Sequence, residues 1–151
     1  MRGELLIKDG KSYVSKVSSD SSMTVEKTFK AAAPFFVYTN ISQWSQIQLP
    51  KELKTIQDLE QFIDEQTADF KRPFAFKLKG DIDSAIIHVQ NLPKGIKVSS
   101  PQEAHQGQTN YELENEQVEI VGFFSTEHQG IFTHHDSYLY LHPITRDEQK
   151  M

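Results

Sequence analysis

The chain has 151 residues, 37% hydrophobic and 25% charged, with a formal net charge of -5 and no cysteine. That balance is globular rather than disordered, and one domain of this size buries roughly 70% of its unfolded surface. The acidic charge argues against nucleic acid as a partner, and the absence of Cys excludes disulfides, thiolate ligands and a cysteine nucleophile.

In chain order, the first predicted element is a hairpin. Leu5–Lys8 and Lys11–Val14 flank Asp9-Gly10, a pair that accepts the positive φ of a tight two-residue turn. The apolar run Leu5–Ile7 is too short for a signal-peptide core or a membrane span. A cytoplasmic chain without a membrane partner is therefore expected. Ser18–Ser22 reads as a polar loop. Val25–Phe29 and Phe35–Tyr38 read as short strands.

The clearest helix is predicted from about Thr55 to Thr67. Ile56, Leu59, Phe62 and Ile63 recur at helical spacing, Thr55 can cap the free amides, and Asp58 favours the first turn. Its apolar stripe is that of a helix covering a sheet. A second hairpin is predicted around Gly80-Asp81, with Phe74, Phe76 and Leu78 alternating on one arm and Ala85–Val89 returning. Pro93-Lys94-Gly95 ends that arm, and Ser99–Gln108 reads as a long loop or short helix. Gln117–Phe124 is a strand, with Gly122 open to close backbone approach. Ser125–Gly130 is a loop, and Ser137–His142 is the last strand, with Pro143 at its end. Many short strands and one good helix predict a single α+β domain over residues 1–151, with a mixed or antiparallel sheet and one main amphipathic helix.

The segment richest in chemistry is Thr133–His142, which holds three of the six histidines. A regular strand would put Asp136, Tyr138, Tyr140 and His142 on one face, with His134 nearby. Neutral imidazole and carboxylate are good zinc ligands. The bland alternative is a solvent-exposed His134-His135 pair, a strand-end His142 bonded to a carbonyl, and Tyr138 and Tyr140 used for packing. Glu4 is either a general base or ligand, or a solvated strand-start residue. Glu112–Glu116 reads as an exposed acidic surface. The chain has no phosphate-cradling glycine loop, dinucleotide fingerprint, Gly-x-Ser-x-Gly elbow or His-Glu-x-x-His.

Several stretches together resemble the acetolactate decarboxylase family. They are Gly3-Glu4, the apolar strand and Asp9-Gly10-Lys11-Ser12-Tyr13; Pro34–Val37 and the Thr55 helix; Phe74–Gly80; Val118–Phe123; and Tyr140-Leu141-His142 followed by Ile144-Thr145 and Asp147. The match runs in order along nearly the whole chain. The resemblance implies a zinc-dependent carboxy-lyase that converts 2-acetolactate, a 2-hydroxy-3-keto acid, to acetoin. Zinc would be held by two histidines of the last strand and a third beyond it, and would stabilise the enediolate left by loss of carbon dioxide.

Carried onto this chain, the resemblance makes His142 the second strand histidine and puts Tyr140 where the first would stand. A neutral phenol must lose a proton near pKa 10 to bind zinc well. The third histidine would fall beyond Met151, and the family's first strands would precede Met1. Glu4 fits the hairpin glutamate, and His88 stands where the family has a substrate-facing arginine; these two are the candidate catalytic residues. His134, His135 and His128 are candidate substitute ligands. The alternative implied by Tyr140, His88 and the chain's extent is a non-catalytic member with an incomplete metal site. Uncovered edge strands would favour a homodimer.

Overall fold

The computed structural model describes residues 2–33, 35–93, 95–96 and 107–151. Six strands and one helix follow in the order β1 (Glu4–Lys8), β2 (Lys11–Ser19), β3 (Ser22–Lys27), α1 (Ile56–Gln66), β4 (Phe74–Gln90), β5 (Gln108–Phe124) and β6 (Leu139–Thr145). They form two three-stranded sheets, β1-β2-β3 and β4-β5-β6. The protein is thus β-rich, with two antiparallel sheets and a single short helix, rather than evenly α+β.

The opening hairpin is as expected. Lys8 pairs with Lys11, and Asp9 and Gly10 have φ of 50° and 73°, the two positive values that the turn demands. The polar stretch after it is not a loop. β2 continues to Ser19, turns at Asp20-Ser21 and returns as β3, so the serines form a second tight hairpin. The side-chain hydroxyls of Ser19 and Ser22 lie 2.7 Å apart across that turn. As the central strand, β2 is buried on both faces from Ser12 to Ser15.

The strand expected at Phe35–Tyr38 is absent, since the described residues there are irregular. Helix α1 is where its periodicity put it. The Thr55 hydroxyl accepts from the Asp58 N–H and the Asp58 carboxylate from the Thr55 N–H, a complete capping box.

The hairpin expected at Gly80-Asp81 is likewise not formed, because β4 runs straight through it for 17 residues. The reason lies in its neighbour, as β5 is also 17 residues long and pairs along it. The Asn91 N–H donates to the Gly107 carbonyl at 2.6 Å, the Phe74 and Phe124 rings stack at 5.4 Å, and Phe76 lies over Gly122. These three contacts fit one antiparallel register. Most of Ser99–Gln108 lies outside the described residues, with Gln108 opening β5. On the other edge of β5, Ser125 N–H to Tyr138 O (2.9 Å) and Arg146 N–H to Gln117 O (2.8 Å) again share one antiparallel register. Pro143 falls inside β6 rather than at its end. In that register its nitrogen points away from β5, so an edge strand accommodates it without losing a ladder bond.

Two compact units divide the chain: residues 1–34, 77–121 and 141–151, and residues 35–76 and 122–140. In the first unit, Val17 and Met23 of the first sheet pack on Ile87, Val89, Tyr111, Leu113 and Val118 of the second. Leu6 and Tyr13 pack on Ile144 and Met151. Strand β4 must curl to make this possible. The Gly3 N–H donates to the Gln90 carbonyl at 2.6 Å, and Lys77 is ion-paired with Asp9. At about 3.3 Å per residue, Gly3–Asp9 spans roughly 20 Å, whereas Lys77–Gln90 drawn straight would span roughly 43 Å.

In the second unit, Phe70, Phe74, Phe124 and Tyr138 form a chain of ring contacts. Helix α1 is tied to this unit through Glu60, whose carboxylate accepts from Ser137 Oγ (2.5 Å) and the Tyr138 N–H (2.6 Å).

Candidate active site

Glu4 begins β1. Its side chain shares a face with Leu6, because alternate strand residues point the same way. Leu6 is buried in the cluster that contains Ile144, so this is the inner face of the sheet. The backbone just before Glu4 approaches its neighbour closely. Gly3 has φ of 91°, and a Cβ there would stand 2.2 Å from the Ser15 carbonyl oxygen, so only glycine fits. The Gln90 N–H donates to Glu4 Oε1 at 3.0 Å. Loss of water around the carboxyl raises its pKa above the ordinary value, and the Gln90 hydrogen bond opposes that rise only in part. Glu4 is therefore a carboxyl held in place by the main chain and biased toward keeping a proton.

His142 lies on β6 two residues before Ile144 and so on the face of its own sheet that packs toward Leu6. Removal from water lowers its pKa to about 4, and the nearby His88 imidazole adds like-charge repulsion. At neutral pH the ring carries no charge and retains a nitrogen lone pair. His88 itself has an exposed position on β4, within electrostatic reach of His142. The first unit thus holds Glu4, His88 and His142, three residues spread over the whole length of the sequence.

Two residues that sequence reasoning missed adjoin Glu4. Ser15 is its cross-strand partner on β2, fully buried, with a hydroxyl that has no hydrogen-bond partner; the Gln90 side-chain oxygen is also buried and unpaired. Ser15 was within reach of the sequence, since the Asp9-Gly10 turn fixes the register that puts it opposite Glu4. Gln90 was not, because its place depends on where β4 meets the start of β1.

The other expected ligands belong to the second unit. Tyr140 packs among Phe123 and Phe132, with ring centroids 6.5 Å away in each case. His128 Nδ1 lies 2.7 Å from Ser125 Oγ, and the ring rests 5.0 Å from Phe132. His134 and His135 are exposed in the loop before β6. Among the described residues no helix is long and apolar enough to cross a membrane, which leaves strand-built spans untested.

The alpha-acetolactate decarboxylase family profile matches residues 1–150. No curated protein matches the sequence significantly. Among solved structures, the X-ray crystal structure of alpha-acetolactate decarboxylase from Bacillus subtilis strain 168 superposes with a TM-score of 0.70 at 24% identity. The superposition covers 98% of this chain and 60% of that one, and it shows a shared fold. A match over nearly the full chain, on a sheet architecture of this kind, defines the class: the chain belongs to the alpha-acetolactate decarboxylase family.

The family implies a zinc ion. Among the described residues, no three His, Asp or Glu side chains form a group able to hold a metal. The described donors therefore do not make a zinc centre by themselves.

Proposed function

We propose that this chain provides acid–base residues for the decarboxylation of 2-acetolactate to acetoin, as a carboxy-lyase of its family. The observation that carries this reading is the Glu4 carboxyl, held by the Gln90 N–H and shielded from water in the unit that also holds His142. In the reaction, the bond between C2 and the carboxylate carbon breaks and carbon dioxide leaves. The electron pair moves onto the adjacent carbonyl, giving an enediolate. One carbon of that enediolate then takes a proton. A carboxyl whose pKa is raised by burial keeps its proton to higher pH than a solvated one and delivers it from a fixed position. His142 is neutral and presents a lone pair, the state required of a metal ligand or hydrogen-bond acceptor. His88 offers a hydrogen bond to a substrate oxygen, though without the bidentate fork of an arginine.

The test is acetoin formation from 2-acetolactate by purified, folded protein, with and without added zinc, beside a protein-free control. Product above that control supports the reading. No product above it under either condition, from protein shown to be folded, rejects it.

A second reading, a family member without activity, is favoured by Tyr140, which packs as an aromatic between Phe123 and Phe132. On that reading Tyr140→His alone does not create turnover in an inactive chain, and vigorous acetoin production by the variant would count against it.

A further inference from the structure

Ser15 is wholly shielded from solvent, and its hydroxyl has no hydrogen-bond partner among the described residues. A buried hydroxyl left unpaired is costly, so an apolar residue would serve folding better at this position. The strand register shows which group the hydroxyl faces. Ser15 lies opposite Glu4 on β1 and Val25 on β3, with Tyr13 and Val17 on the same face of its own strand. The two valines carry no polar side-chain atom, and the Tyr13 hydroxyl already donates to Glu148. Of the diagonal neighbours, Leu6 and Met23 are apolar and Lys27 is ion-paired with Glu148. Among these described neighbours, the Glu4 carboxyl is the one group with capacity left for a hydroxyl. Its place is fixed from both sides. A Cβ on Gly3 would collide with the Ser15 carbonyl oxygen, and the Gln90 N–H holds Glu4 Oε1 at 3.0 Å. Oε2 is left to carry the proton. Directly opposed strand residues have Cβ atoms about 4.5–5.5 Å apart, and a serine hydroxyl has three staggered positions, so rotation about one bond turns it toward the carboxyl.

We propose that Ser15 is a positioning residue for Glu4, its hydroxyl donating to Glu4 Oε2 once that oxygen has given up its proton. This rests on the acid role proposed for Glu4. As the acid acts, its O–H bond breaks, the proton forms a new C–H bond on the enediolate, and the electron pair stays on Oε2. A hydrogen bond to an ionised oxygen is about twice as strong as one between neutral groups. The Ser15 bond therefore strengthens as the proton leaves. It lowers the barrier to proton transfer rather than tightening the binding of substrate. A hydroxyl that is idle at rest, at a cost in stability, is the pattern of a residue retained for function.

The experiment compares wild type, Ser15→Ala, Glu4→Gln and the double variant in acetoin formation. It also follows the Glu4 carboxyl of the substrate-free protein by carbon-13 NMR as pH is raised, the resonance being assigned by its loss in Glu4→Gln. Alanine is smaller than serine and apolar, so Ser15→Ala keeps the fold, which circular dichroism checks. Its kcat should fall about 10- to 100-fold with KM constant within about two-fold, the loss expected for a hydrogen bond to a charged group. Added to Glu4→Gln, the same substitution should cause no further loss, because the bond it removes is already gone. In the NMR series, Ser15→Ala should move the Glu4 midpoint to higher pH, since the lost bond favoured the ionised form. A wild-type kcat in Ser15→Ala, an equal loss in both backgrounds, or an unmoved Glu4 midpoint would overturn the proposal. Where the wild type makes no acetoin, or Glu4→Gln makes as much as wild type, the acid role itself fails. The midpoint alone then upholds or overturns the Ser15–Glu4 bond.

Discussion

Glu4 shows how one residue's chemistry depends on its neighbours. A strand-start glutamate is ordinarily solvated; here the inner sheet face removes its water and the Gln90 N–H fixes one oxygen. Glu4→Gln keeps the shape and the main-chain hydrogen bond but cannot hold the proton. Acetoin formation should fall about 10²- to 10⁴-fold, with an unchanged circular dichroism spectrum. Glu119 is the opposite case. Lys8, 2.5 Å away, and Lys79, 2.9 Å away, hold its pKa down to about 2. A carboxyl depressed on folding stabilises the protein above its unfolded pKa of about 4.5, and this contribution fades as pH falls toward 2. Part of the group is open to solvent, so the effect is about 1 kcal/mol. Urea unfolding of Glu119→Gln and wild type should differ by that amount at pH 7 and converge near pH 2. Glu4 and His142 were singled out in the sequence through the family pattern. Their pKa shifts were not, because desolvation is set by residues far away along the chain.

At the scale of elements, α1 and the long β4–β5 pair make the clearest contrast. The helix was fully legible, since period, cap and first-turn acid lie within one short stretch. Thr55→Ala removes the hydroxyl that accepts from the Asp58 N–H and should cost about 1 kcal/mol, measurable by urea unfolding. Gly80-Asp81, in contrast, reads as a turn by local chemistry yet is crossed by a continuous strand, because an equally long partner supplies ladder bonds on both sides of it. Gly122 belongs to that pairing. A Cβ there would sit 2.4 Å from the Phe76 ring, which lies across it. Gly122→Ala should destabilise by about 1–3 kcal/mol through overpacking. In a Phe76→Leu background the cost should shrink, and equal costs in the two backgrounds would rule out this contact as the cause.

For the molecule as a whole, the curl of β4 is the decisive feature. It brings Gln90 to Gly3 while Lys77 reaches Asp9, and so lets His88 act on His142. The first unit is closed around β2, whose residues from Ser12 to Ser15 are buried on both faces. Amides of β2 should therefore exchange with solvent more slowly than those of the edge strand β3, where most residues are exposed. Mass-resolved hydrogen exchange of proteolytic fragments covering the two strands checks this order.

The sequence by itself determined the first hairpin, the helix with its N-cap, the order of most strands and the family. Each rests on chemistry within a dozen residues or on an ordered pattern of them. Tertiary structure alone decided that the Ser18–Ser22 stretch is a second hairpin, that β4 runs unbroken through Gly80, that Pro143 lies within an edge strand, and that Gln90 holds Glu4. The reason is the same in each case: ladder bonds and desolvation come from partners distant in sequence, and local propensities of a few tenths to 1 kcal/mol yield to them.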